Sequence, residues 1–208
     1  MTSTPAFPTP ASSAVPTGKL SQRLRDETSA QHERMHQLMG QGDPFASREA
    51  YARFVDAQYL FQRDVEHLFN DPAVKAAVPD LEARGREAAS LADLADLNAA
   101  ATVDALASEG VTMPAALGWL YVSEGSTLGA AFLFKEAKAR LGLDENFGAR
   151  NLAAYPEGRA IAWKRFVASL DTGGYTAEEQ DAVIAGANAA YDRFGDLLAQ
   201  RFAVGETA

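Results

Sequence analysis

The chain has 208 residues, 47% of them hydrophobic and 23% charged, with a formal net charge of −9 and no cysteine. That length suits one domain with a sizeable core. An acidic chain without a lysine–arginine block has little to offer a nucleic-acid backbone, no apolar run approaches the length of a bilayer crossing, and any metal must be held by His, Asp, Glu or Tyr rather than by thiolates.

The opening MTSTPAFPTPASSAVPTG is rich in Pro, Ser, Thr and Ala and lacks the basic start and apolar stretch of a signal peptide. Residues 1–17 therefore read as a disordered tail, 18–204 as the folded domain and 205–208 as a short C-terminal tail, in a chain expected to be cytoplasmic. From Leu20 the pattern is helical: Leu20, Leu24, Met35, Leu38 and Met39 recur at three- and four-residue spacing up to the stop at Gly40 and Gly42, which predicts one helix. A second, aromatic helix is expected from an N-cap at Ser47 to Asn70, with Tyr51, Phe54, Val55, Gln58, Tyr59 and Phe61 interleaved. A short helix follows Pro72, another is expected from Asp80 to about Asp96, and ATVDALASEGVT is undecided. A long helix runs from near Pro114 to about Leu141, GLDENFGARNLAAYPEG is loop, and RAIAWKRFVASL and AEEQDAVIAGANAAYDRFGDLLAQRFA are two final helices. No alternation suggests strands, so the fold class is all-α, with a single domain.

Two stretches stand out. HERMH, residues 32–36, satisfies H-E-x-x-H, in which two histidines one turn apart hold zinc. A zinc hydrolase also needs a third ligand. The extended motif would place Gly at 39 and His at 42, where this chain has Met39 and Gly42, and the only other histidine is His67. The plain alternative is two histidines on a half-buried helix face. The other stretch is LGWLYVSEGSTLGAAFLF, where Gly118, Gly125 and Gly129 interrupt a strong helix on the face that carries Val122. Each interior glycine costs about 1 kcal/mol relative to alanine, which asks for a reason. Close helix packing is one reason; a flat ligand lying on bare backbone, with Ser126 beside it, is the other. A histidine on one helix and a side-chain-free face on another are the two walls a heme needs.

Those residues carry a resemblance. QRLRDETSAQHERMHQLM, DPFASREAYARFVDAQYLFQRDVE, ALGWLYVSEGSTLGAAFLFKEA, LDENFGARNL and AYDRFGDLLAQRF, spanning residues 20 to 203, resemble the bacterial heme oxygenases in family order. The resemblance implies an all-helical fold with heme b clamped between a proximal and a Gly-rich distal helix, and oxidation of heme by dioxygen and electrons to biliverdin, carbon monoxide and ferrous iron. It implies that His32 is the iron ligand and His36 is not. The family usually carries an acidic side chain at the latter position, so on this account the zinc-like motif is a coincidence of one substitution. Gly125 and Gly129 would crowd the distal side, and Arg86 and Ser126 would hold water there. Arg25 and Tyr121 would meet the propionates, and two helical turns, roughly 10 Å, separate Arg25 from His32 along one face. Relatives with a basic residue and a tyrosine at these sites cut at the α-meso carbon. Others carry asparagine, phenylalanine and a lysine near position 136, where this chain has Glu136, so biliverdin IXα is expected. Gln58, Val122, Tyr191 and Phe194 would line the pocket. A ferredoxin or flavin-dependent reductase is the expected electron donor and a monomer the expected state. The alternative is a heme carrier that binds through the same groove without turnover.

Overall fold

Apolar residues repeating every three or four positions build eight α-helices among the described residues, which in this computed structural model are 18–153 and 155–203. The expected tails at 1–17 and 205–208 lie outside them. The helices are α1 (Leu20–Glu27), α2 (Ser29–Gly42), α3 (Arg48–His67), α4 (Pro72–Ala77), α5 (Glu87–Asp96), α6 (Ala115–Glu136), α7 (Arg159–Thr172) and α8 (Ala177–Ala203). No strand forms among these residues, as the all-α expectation requires, and no helix is long and apolar enough to cross a membrane. α8 runs against α6, α3 and α2, and α3 packs on α5. Tyr51, Phe54, Leu60, Leu117, Leu120, Phe166 and Leu197 fill the core between them.

Two expected helices are each divided. The single helix over 20–40 is two, α1 and α2, separated at Thr28, whose φ and ψ are −115° and 10°. The buried Thr28 hydroxyl donates to the Leu24 carbonyl at 2.7 Å, the same carbonyl its own amide reaches at 3.0 Å, and such back-bonding bends a helix. Arg25 and His32 therefore sit on opposite sides of a bend, and the straight two-turn rise between them does not apply. The helix expected from Asp80 to Asp96 is a short 3-10 turn, Leu81–Arg84, then Gly85 and Arg86, then α5. Here a carboxylate from another helix decides the break: Glu66 of α3 accepts the amides of Arg86 and Glu87 and so caps α5 from outside. Gly85 makes room for this, since a Cβ there would lie 2.7 Å from a Glu66 carboxylate oxygen.

Ser47 caps α3 as its sequence context suggests, its hydroxyl accepting from the Ala50 amide at 3.1 Å. Ser47→Ala should cost about 1 kcal/mol of unfolding free energy, read from chemical denaturation, with no change in helix content. Buried acids on α3 hold the stretch between α5 and α6, which contains the undecided ATVDALASEGVT segment and forms no helix. Asp56 accepts from the Thr102 amide (2.8 Å) and hydroxyl (2.7 Å) and from Arg201 of α8 (2.6 Å). Asp64 accepts from the Ala107 amide and Arg193 of α8, both at 2.9 Å. On α5, Asp93 takes the amides of Arg150 (3.0 Å) and Asn151 (2.9 Å) and pins the loop before α7. Burial pushes the Asp93 carboxyl up, and those donors oppose the push.

The close approach of α6 and α8 needs two glycines. A Cβ on Gly118 would stand 2.1 Å from the Val183 carbonyl oxygen and 2.3 Å from the Ala187 nitrogen, and one on Gly186 would stand 2.1 Å from the Ala115 carbonyl oxygen. Backbone meets backbone at this crossing.

Candidate functional site

The first wall of the site is α2. His32 and His36, one turn apart, present solvent-exposed imidazoles whose ring centroids are 4.6 Å apart at 70°. His32 also meets the Tyr191 ring of α8 edge-on at 6.4 Å. Its surroundings strip enough water from the His32 ring to hold its pKa below the ordinary histidine value, and repulsion from His36 adds to this. The imidazole is thereby kept neutral and available as a ligand. Among the described residues no group of three or more His, Cys, Asp or Glu gathers, so the third protein ligand of a zinc hydrolase is not supplied there.

The second wall is α6, where the three glycines part company. Gly118 is consumed by the contact with α8. At Gly125 a Cβ would only touch the Trp163 ring at 3.7 Å, and at Gly129 it would meet nothing within 4 Å. Packing explains the first glycine; Gly125 would have room for a methyl group against Trp163, and Gly129 faces open space. Val122, on the same helix, is buried rather than facing that space. The Ser126 hydroxyl donates to the Ser123 carbonyl one turn back at 2.7 Å, so its oxygen remains free to accept.

Behind the open face lies a small cavity that joins the two walls. Met39 of α2, Phe54 and Gln58 of α3, Ser126 and Ala130 of α6, Phe194 of α8, Arg86 and Asn151 all border it. Its volume of about 80 Å³ is well below the ~300 Å³ of a small-molecule pocket. It has room for a few water molecules, each of which occupies roughly 30 Å³ in the liquid. Two of its lining residues carry buried donors, Arg86 Nη1 and Asn151 Nδ2, that have no hydrogen-bond partner among the described residues. A polar cavity with unpartnered donors on its wall is where ordered water resides.

Arg86 is held firmly. Its backbone is fixed by Glu66, and its Nη2 donates to the Ser123 carbonyl (2.9 Å) and hydroxyl (2.7 Å) on α6. Its Nη1 lies 3.8 Å from Glu124, an ion-pair contact without a hydrogen bond. Glu124 is 2% exposed and forms a buried ion pair with Arg84, equally buried, while accepting from the Tyr155 hydroxyl at 2.6 and 2.7 Å. Burial, and then the Glu124 charge, push the Tyr155 phenol well above its usual pKa. Tyr155 adopts a left-handed φ of 59°, which costs a non-glycine residue about 1 kcal/mol. Its bond to Glu124 is what holds it in that conformation.

Of the remaining predicted residues, Arg25 is exposed and Tyr121 and Tyr191 are buried. The Arg25 side chain on α1 is 73% exposed and forms an ion pair with Asp26 at 3.3 Å. It is close enough to the buried Tyr121 for its charge to oppose the rise that burial imposes on that phenol. Tyr121 packs on Trp163 with centroids 5.5 Å apart. Tyr191 is likewise pushed up, to about 12, by burial. Phe194 lies against Phe61 at 5.1 Å. Glu66, Arg84, Ser123, Glu124, Asn151 and Tyr155 escaped the sequence reading. The signal available for them was a charge inside an apolar helix, Glu124 between Val122 and Gly125, which in a buried helix demands a partner.

The heme oxygenase family model matches residues 18–200. Over 185 residues the chain is 50% identical to heme oxygenase PigA of Pseudomonas aeruginosa, covering 88% of this chain and 93% of that protein. In three dimensions it is similar to the NO- and CO-bound heme oxygenase of Neisseria meningitidis, with a TM-score of 0.83 and 35% identity over 91% of this chain and 95% of that one. It shares its fold with the heme-bound heme oxygenase-1 of Synechocystis sp. PCC6803, at a TM-score of 0.70 and 16% identity over 88% and 92% of the two chains.

Proposed function

Since the chain belongs to the heme oxygenase family, and so degrades heme with dioxygen and reducing equivalents, we propose how its own residues divide that task. Bound heme supplies both the iron that activates dioxygen and the ring that is oxidised. The observation that carries the assignment is the room left on α6 at Gly125 and Gly129, in a fold whose α2 carries the exposed imidazole of His32. The fit is chemical: one nitrogen ligand, a helix backbone without side chains at two positions, and buried donors at Arg86 and Asn151.

In this reading His32 holds the iron, and residues 18–204 form the whole heme-holding domain. Gly125 and Gly129 restrict the distal space by backbone alone and place no acid or base beside the iron. Water in the cavity, donated to by Arg86 Nη1 and Asn151 Nδ2 and supported by the Ser126 oxygen, supplies the hydrogen bond and the proton on that side. The buried pair of Arg84 and Glu124, with Tyr155, keeps Arg86 aimed at the cavity rather than folded back onto a free carboxylate. Gln58 and Phe194 close the inner end, and Val122 and Tyr191 pack the helices behind the walls. Arg25, whose contact with Asp26 is exposed, and Tyr121, packed on Trp163, would hold the propionates of bound heme. A ferredoxin or flavin-dependent reductase delivers the electrons, in the cytoplasm, to a monomer.

Clamping the propionates at Arg25 and Tyr121 orients the ring for cleavage at the α-meso carbon. The purified hemin complex, given ascorbate in air, should lose its Soret band and yield mainly biliverdin IXα by chromatography. Mainly β and δ isomers would remove the clamp. In Arg25→Asn the ratio of α to other isomers should fall about fivefold, the change expected when one charge-assisted contact worth roughly 1 kcal/mol no longer favours one orientation.

A further inference from the structure

The His32–His36 pair contains one imidazole that the reaction leaves unused. We propose that, in the heme-free protein, His32 and His36 together bind one divalent transition-metal ion of the zinc or nickel class, with water completing its coordination, and that this ion and heme exclude one another.

The geometry is that of a chelate. Residues four apart on a helix face the same way, and the two rings already stand 4.6 Å apart, centroid to centroid, in solvent. With each ligand nitrogen about 2.1 Å from the ion, two nitrogens sharing it lie roughly 3 to 3.4 Å apart, and side chains one helical turn apart can supply such a pair. The helix sets the Cα positions, so little further ordering is required on binding. Glu33, between them in sequence, adds negative charge near His32, and the chain as a whole carries −9, both favouring a cation. Neutral imidazole is the ligating form. No third acidic or imidazole ligand gathers here among the described residues. The site is thus bidentate, exchangeable and unsuited to hydrolysis.

Mutual exclusion rests on the assignment of His32 as the iron ligand, since one imidazole nitrogen cannot serve both metals; the chelate itself does not. The test is calorimetric titration of the heme-free full-length protein with zinc sulfate in a non-coordinating buffer. One site is expected in the wild type, and His32→Ala and His36→Ala should each weaken it at least about tenfold, as loss of one of two ligands requires. His67→Ala, on α3, should leave it unchanged, and circular dichroism should show all variants folded. Prior loading with hemin should abolish the zinc isotherm. No zinc binding in the wild type, or undiminished binding in His36→Ala, overturns the proposal. Zinc binding that needs both imidazoles yet persists unchanged in the hemin complex leaves the chelate standing and removes His32 from the iron.

Discussion

Replacing His32 by alanine should leave a folded protein that no longer turns over heme. The side chain lies at the surface of α2, and alanine is the best helix former. The expected stability change is within about 0.5 kcal/mol, as for other exposed positions. The iron, by contrast, loses its only protein ligand in this reading. Turnover to biliverdin should fall by roughly 100-fold or more, since even groups that merely support a metal ligand are worth 10- to 100-fold. The hemin spectrum should shift, and added imidazole should restore it together with part of the activity. His36→Ala should keep both spectrum and turnover close to wild type. Equal losses at the two positions, or a variant at 32 that retains full activity, would move the iron ligand elsewhere.

The largest stability effect is expected at Gly118, with an opposite sign at Gly129. A methyl group at position 118 would be driven into the Val183 carbonyl and the Ala187 nitrogen at 2.1 and 2.3 Å. Neither can rotate away as a side chain would, so α6 and α8 must separate along their whole contact. Gly118→Ala should therefore lose about 3 kcal/mol or more, the upper end of overpacking costs. For a chain of this size that lowers the melting temperature by roughly 6 to 12 °C. At Gly129 the same methyl group meets nothing within 4 Å. Gly129→Ala should gain up to about 1 kcal/mol in the heme-free protein, measured by urea denaturation. Gly129→Leu, equally foldable by this argument, should lower hemin affinity and turnover by at least tenfold. A destabilised Gly129→Ala variant, or a Gly129→Leu enzyme of normal activity, would mean that the open face is not where heme lies. These two glycines separate the explanations of their shared helix: one is required by packing, and the other, which packing does not require, is the one proposed to lie against heme.

Part of this molecule is local and part is not. The all-helical class, the cap at Ser47 and the two unusual stretches follow from periodicity, turn chemistry and violations of helix preference, which act between residues a few positions apart. The same locality explains why His32 and the glycine run could be singled out without a structure. Thr28 bends a helix that apolar periodicity leaves straight, because its hydroxyl competes for the Leu24 carbonyl one turn back, a polar contact the apolar pattern does not register. Two other features depend on partners distant in the chain. Arg86 stands at a helix start rather than mid-helix because Glu66, twenty residues earlier by the numbering, caps that start. The buried pair of Arg84 with Glu124, and the Tyr155 hydroxyl on the same carboxylate, join three segments that no repeat relates. Sequence alone singled out the residue types proposed for the site and placed His32, Gly125 and Gly129 on helices, since helix faces are set by spacing. Only the tertiary structure decided which glycine is packed and which is open, and where the unpartnered donors point, because burial and charge pairing depend on what other segments bring to the same place.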